Sequence, residues 1–205
     1  ALYFLYFLYF IYQVRLMNLL KKTIVSLHQK GPNETARRVR DYFLRPKEVK
    51  KLPNFLVEVA TTCNLRCPMC ARTVNVEKKN WKNSVMKLEV FKSIAANLPE
   101  VGKLSLHASG EPTMNPDLLA IIQYARELGK IHRIHIVSNA LFRDADYYDE
   151  VFDAGLTTLT ISIDSLDQGI ADILRTGTDV EKLKANVRNI LARHLDKVNI
   201  NMVIG

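Results

Sequence analysis

From Pro53 onward the chain alternates strand-like runs, at 55–60, 103–108, 131–137, 157–163 and 198–204, with helix-like runs between them. Leu88, Phe91, Ile94 and Leu98 recur at helical spacing, and Asn115-Pro116 is set to open a further helix that Gly129 ends. A shorter helix is expected over 147–152 with Gly155 beyond it, and Thr178 with Glu181 reads as a capping box for a helix carrying Val180, Leu183, Val187 and Ile190. Regular strand–helix repetition calls for a parallel sheet with right-handed crossovers. The strands have two unlike faces. Leu159, Ile161 and Ile163 oppose Thr160, Ser162 and Asp164; Leu104 and Leu106 oppose Ser105 and His107; Ile200 and Met202 oppose Asn199 and Asn201. A sheet covered by helices on both sides would read as continuous apolar runs, so the polar face is expected to line the lumen of a barrel. Four complete strand–helix units and a fifth strand cannot close an eight-fold barrel. The expected fold class is therefore α/β, a partial barrel belonging to a longer enzyme and cut after its fifth strand.

The cysteines constrain the chemistry. All three lie in one stretch, Cys63-Asn-Leu-Arg-Cys67-Pro-Met-Cys70, directly after the first strand-like run. A structural zinc site needs four protein ligands, and no histidine stands at zinc-finger spacing from these thiols. Three cysteines cannot pair completely, and so short a loop would strain any bridge between them. Three thiolates can instead hold three irons of a cubane cluster and leave the fourth open to a ligand. Unpaired thiols kept for a cluster also imply a reducing, cytoplasmic compartment.

Ligands of parallel strand–helix folds gather at the carboxyl ends of strands, and each strand here has polar residues there. The first leads to the cysteines, the second to Ser109-Gly110-Glu111-Pro112, the third to Ser138-Asn139-Ala140 and the fourth to Ser162-Ile-Asp164-Ser165. The motif with its surroundings, Glu58-Val-Ala-Thr-Thr-Cys63-Asn-Leu-Arg-Cys67, resembles the radical S-adenosylmethionine (radical SAM) enzymes over about residues 52–205. Within them it is similar to the branch holding SPASM-type peptide maturases and the molybdenum-cofactor cyclase. The resemblance implies an open (β/α)6 barrel, a 4Fe-4S cluster on Cys63, Cys67 and Cys70, and S-adenosyl-L-methionine chelating the open iron. It further implies that Gly110, Glu111 and Pro112 receive the cofactor's ammonium and that Ser162 and Arg175 hold its carboxylate. Ser138 would sit near the ribose and Met69 would cover the adenine. Ser109 replaces one of the family's two glycines, and Ala140 another frequent glycine. The implied chemistry is reductive cleavage to a 5′-deoxyadenosyl radical that takes hydrogen from a peptide or cofactor precursor, with flavodoxin or ferredoxin as reductant. Glu58, His107, Asp164 and Asn201 face the lumen by parity and are candidates for substrate contact. The rival reading is an iron–sulfur electron carrier or sensor without turnover, which would need neither a chelating turn nor a carboxylate clamp.

Charge sets the N-terminal quarter apart. Residues 15–51 hold 11 Lys/Arg against 3 Asp/Glu, while the rest of the chain holds 18 of each, so the net +8 belongs to this arm. The division expected is a low-complexity apolar extension over 1–16, where Leu-Tyr-Phe repeats three times, a basic helical arm and linker over 17–52, and the barrel over 53–205. Helices are expected over 17–29 and, capped by Asn33, over 34–43. The apolar run to Val14 is too short to span a bilayer, which takes about 20 residues, and it lacks the basic flank of a signal peptide. Weak contact of residues 1–51 with a membrane surface is compatible with aromatics followed by cations, whereas a solvated helix face accounts for the charge better than nucleic-acid binding does.

Overall fold

The computed structural model describes residues 31–37, 40 and 49–202. The chain divides into two compact units, Ala1–Val49 and Lys50–Gly205. In the first, residues 31–37 are helical, so Asn33 lies inside a helix instead of capping one. The helix expected over 17–29, the extension over 1–16 and the last residues of the fifth strand lie outside the described residues. No helix among the described residues is long and apolar enough to cross a membrane.

The second unit is a five-stranded parallel sheet in sequential order, with strands β1 (Lys51–Leu56), β2 (Glu100–Ser105), β3 (Ile131–Ser138), β4 (Thr158–Ser162) and β5 (Val198–Asn201). The helices are α1 (Ala71–Glu77), α2 (Leu88–Ala96), α3 (Leu118–Glu127), α4 (Ala145–Asp153), α5 (Gln168–Leu174) and α6 (Val180–His194). Neighbouring strands all run parallel and each of the first four is followed by helix, as the alternation in the sequence requires. The apolar strand faces meet the helices: Leu104, Leu106, Ile134, Ile136, Leu159 and Ile161 are fully buried, together with Phe91, Ile121, Ile122 and Tyr148. Each such aliphatic side chain contributes about 1.5–3 kcal/mol by leaving water. The opposite face stays partly open, with His107, His135, Thr160 and Ser162 half-buried. Parity therefore set the sidedness of the sheet correctly.

Two local expectations are corrected. β1 begins at Lys51 and ends at Leu56, earlier than the apolar run that suggested it. Val57 gives one more ladder bond to Ser105, and the chain then leaves the sheet, with Ala60 bridging Val85 and the Met86 amide donating to Val59. Val57, Val59 and Ala60 are buried for packing and not for sheet pairing. Lys51 and Leu52, expected in the linker, pair with Glu100 and Val101. At α6 the cap is Asp179, whose carboxylate accepts from the Lys182 amide, while the Thr178 hydroxyl donates to the Arg175 carbonyl. The helix α3 opens after Asp117, and Asn115 leads into it as expected by accepting the Asp117 amide on its Oδ1 at 2.8 Å. Its side-chain amide donates to the Val59 and Met86 carbonyls, both at 2.9 Å, and so ties the exit of β1 to the loop before α2.

Candidate active site

The cysteine loop is held from several sides. Arg72, on the first turn of α1, is buried, and its guanidinium donates to the Thr61 carbonyl at 3.0 Å, the Leu65 carbonyl at 3.5 Å and the Asn83 side chain at 3.2 Å. The Trp81 indole adds a second bond to Thr61 at 3.0 Å. Arg66 donates its amide to the Thr176 carbonyl, just past α5, and Cys70 closes a turn onto the Cys67 carbonyl. Buried carbonyls need such donors, and a guanidinium supplies several in one fixed plane.

All three thiols are free and half-buried. Burial pushes the Cys63 and Cys67 thiols up, opposed at Cys63 by the Leu65 amide and the Arg72 charge, and at Cys67 by the Arg175 charge. A metal bound at these sites would have to replace the proton they retain. Among the described residues no three His, Cys, Asp or Glu side chains converge as they would on a single ion. Thiols spread in this way along a loop suit the separate iron corners of a cubane, whereas a zinc site takes its four ligands at one point. Met69, between the last two cysteines, is 53% exposed and free to cover a ligand.

The turn after β2 closes on this loop. A Cβ on Gly110 would stand 2.2 Å from the Ala60 carbonyl oxygen and 2.6 Å from that of Thr62, so only glycine fits. The Glu111 amide donates to the Thr62 carbonyl, and the Ser109 carbonyl lies 3.9 Å from the Cys70 sulfur. Glu58 accepts the Ser109 amide at 2.8 Å.

The Glu111 carboxylate is placed differently from the expected ammonium contact. It is 3% exposed and receives four donors, the Thr113 amide and hydroxyl, the Ser138 hydroxyl and the Asn139 amide. Burial pushes this carboxyl up and the four donors pull it down. It joins the end of β2 to the end of β3, and Pro112, also buried, opens the short turn that follows. Ser138 is corrected too. It continues the face of Ile134 and Ile136, so its hydroxyl points among the helices, donating to Glu111 and accepting from Tyr148 at 2.7 Å. The residue that reaches the cysteines from β3 is Asn139. Its amide group donates to the Asn64 side chain at 2.9 Å and lies 3.8 Å from the Cys63 sulfur. Its position one residue beyond Ser138, on the opposite parity, was the available signal.

At the end of β4, Ser162 is half-buried on the lumen face. Arg175, just beyond α5, donates from Nε to Asp164 at 2.6 Å, an ion pair whose carboxylate side chain is 2% exposed. Arg175 thus stands close enough to the cysteine loop for its charge to act on Cys67. Asn201 lies opposite Ser162 in register but is exposed.

The sequence profile of the Radical SAM superfamily matches residues 57–205. The chain belongs to that superfamily. Radical SAM enzymes use a 4Fe-4S cluster and S-adenosylmethionine for radical chemistry. The chain is 30% identical over 159 residues to the GTP 3',8-cyclase of Clostridium botulinum (strain Hall), covering 77% of this chain and 49% of the relative. It is 27% identical over 151 residues to the PqqA peptide cyclase of Bradyrhizobium diazoefficiens, covering 73% and 38%. It spans half or less of the length of these relatives. In fold it is similar to Streptococcus suis SuiB bound to S-adenosylmethionine, with a TM-score of 0.59, 18% identity and 83% and 38% coverage. It is also similar to BtrN in complex with AdoMet and 2-DOIA, with a TM-score of 0.57, 20% identity and 75% and 58% coverage.

Proposed function

We propose that residues 50–202 form the catalytic barrel of a radical SAM enzyme that modifies a peptide or a cofactor precursor. The observation that carries the reading is the free cysteine trio on one braced loop, in contact with Ser109 beyond β2 and with Asn139 beyond β3. Cys63, Cys67 and Cys70 hold the 4Fe-4S cluster. When bound, the cluster and S-adenosylmethionine supply a 5′-deoxyadenosyl radical by one-electron cleavage of the S–C5′ bond.

The chain's own residues hold, orient and exclude. The Ser109–Gly110 backbone passes close to the loop because Gly110 lacks a side chain, which leaves room for the cofactor's methionyl end. Arg175 offers the guanidinium edge not used by Asp164 to a carboxylate, with Ser162 beside it. Met69 covers the base. Glu111 and Ser138 act as positioning residues, fixing the turn and Asn139 through the bonds described above. The lumen wall of β2, β3 and β4 receives the substrate and keeps stray hydrogen donors from the radical.

A low-potential flavodoxin or ferredoxin as reductant and a cytoplasmic setting complete the proposal, with residues 1–49 as an arm outside the chemistry. Anaerobic reconstitution with iron and sulfide, followed by dithionite and S-adenosylmethionine, tests it. Formation of 5′-deoxyadenosine that is abolished by Cys67→Ser supports the enzyme. A redox-active cluster that never cleaves the cofactor supports the electron-carrier reading instead.

A further inference from the structure

The lumen face carries groups that the cysteine end does not use. By strand alternation Lys103 on β2, His107 just beyond its end, Arg133 and His135 on β3, and Thr160 on β4 point into it, with Lys103 directly opposite Arg133 in register. The His107 and His135 rings meet edge to face with centroids 5.1 Å apart. His135 shares its Nε2 with the Thr160 hydroxyl at 2.9 Å, while its Nδ1 is buried and has no partner. Among the described residues neither the Lys103 nor the Arg133 side chain has a hydrogen bond or an ion pair. The two acids on this face are engaged higher up, Glu58 by the Ser109 amide and Asp164 by Arg175.

Lys103 and two imidazoles thus share one wall, with the exposed Arg133 beside Lys103 in register. The crowding is felt: burial, His107 and Lys103 together hold the His135 imidazole down at about 4, and burial and Lys103 lower His107. A buried ring nitrogen of His135 is left without a partner, a gap that a water, an ion or a ligand group would fill. A metal ion does not suit the place. Lys103 repels it, and no third donor of metal-ligand type joins the two rings among the described residues.

We propose that Lys103, His107, Arg133, His135 and Thr160 form an oxyanion site, which holds a phosphate or carboxylate group of the substrate below the reacting end of the lumen. The inference rests on the reading that the lumen receives the substrate, and it narrows that substrate to an anion-bearing one. An oxyanion would accept charge-assisted bonds from Lys103 and Arg133 and take the orphaned Nδ1 as a donor once a ring is protonated. The anchor two to six residues below the Ser109–Gly110 turn would leave the far end of the substrate facing the cysteines.

Calorimetric titration of the cluster-loaded full chain with inorganic phosphate and, separately, with glutarate at constant ionic strength tests the site, with nitrogen-15 NMR of the histidine rings as a second readout. The expected result is saturable binding of at least one probe with Kd on the order of 1 mM or tighter, accompanied by shifts of the His107 and His135 ring nitrogens. Phosphate alone binding marks a phosphorylated substrate, and glutarate alone a carboxylate one. Lys103→Met and Arg133→Gln should each weaken binding by roughly tenfold, the loss of one charge-assisted bond, whereas Lys92→Met on α2 should not. The proposal is overturned if neither probe saturates and the rings stay still, or if binding survives both substitutions unchanged. Formation of 5′-deoxyadenosine by the same preparation separates the two readings. A chain that makes it yet ignores both anions refutes the oxyanion site alone, and one that binds anions yet cannot make it leaves the site standing without the radical chemistry.

Discussion

Replacing Gly110 by alanine tests how the second strand end is fitted to the cysteine loop. The added Cβ would lie 2.2 Å from the Ala60 oxygen, 2.6 Å from the Thr62 oxygen and 2.7 Å from the Ala60 carbonyl carbon, all backbone atoms. Relief needs a shift of about 1 Å, and neither carbonyl is free to move. Ala60 is pinned by its bridge to Val85, and Thr62 accepts the Glu111 amide at 2.8 Å. Overpacking of this kind costs about 1–3 kcal/mol, and loss of the Glu111–Thr62 bond adds about 0.5–1.5 kcal/mol. A total of about 1.5–4.5 kcal/mol raises the unfolded fraction roughly 12- to 1,600-fold, since 1.4 kcal/mol is tenfold. The displaced segment runs straight into Cys63, so iron retention should fall with stability. Gly169→Ala is the matched control. Its Cβ would meet only the Asp167 carboxylate, at 3.3 Å, and it lies on α5, where alanine is favoured over glycine by up to about 1 kcal/mol. Anaerobic urea denaturation with iron analysis reads both. The reasoning is refuted if Gly110→Ala unfolds within about 0.5 kcal/mol of the parent, the scatter of an inert surface change, and keeps its iron.

Further outcomes follow from the same geometry. Arg72→Gln leaves the Thr61 and Leu65 carbonyls short of donors and should cost about 1–3 kcal/mol, read as a lower denaturation midpoint and faster loss of iron, while Arg72→Lys should rescue little because one ammonium cannot reach all three acceptors. Ser138→Ala removes a donor to Glu111 and the acceptor of the Ala140 amide and should cost about 1–3 kcal/mol by the same assay, yet leave the cluster's absorption spectrum unchanged once loaded. The His135 ring should titrate near 4 by NMR. With its native value below the unfolded one, its contribution to stability is complete above about pH 6.5 and declines as pH falls toward 4; a ring titrating at its ordinary value would contradict the crowding described for the lumen wall.

The cysteine trio and the two-faced strands were legible because each depends on spacing along a single run. Leu104 and Leu106 opposite His107, and Leu159 and Ile161 opposite Thr160, fall on the sides that alternation assigns them. Contacts made across the chain were not legible. Arg72 braces the loop through oxygens of Thr61, Leu65 and Asn83, a set that only the folded backbone assembles. Glu111 looked like a ligand-facing acid because its turn is glycine-bearing, yet donors from Thr113, Ser138 and Asn139 meet it from the next strand. The side on which Ser138 lies was readable, since it follows Ile134 and Ile136 at intervals of two, but its likeness to a cofactor contact outweighed that parity. The early start of β1 was hidden because Lys51, Pro53 and Asn54 lack an apolar signature, and their pairing is set by β2.

Electron paramagnetic resonance of the reduced, reconstituted protein with and without S-adenosylmethionine labelled with nitrogen-15 at its amino group tests the central claim most directly. Three cysteine ligands and one open iron predict a cubane signal that changes when the cofactor is added and acquires a coupling to the labelled nitrogen, with both absent after Cys63→Ser. A signal unmoved by the cofactor, or a metal centre fully enclosed by protein ligands, would contradict the account.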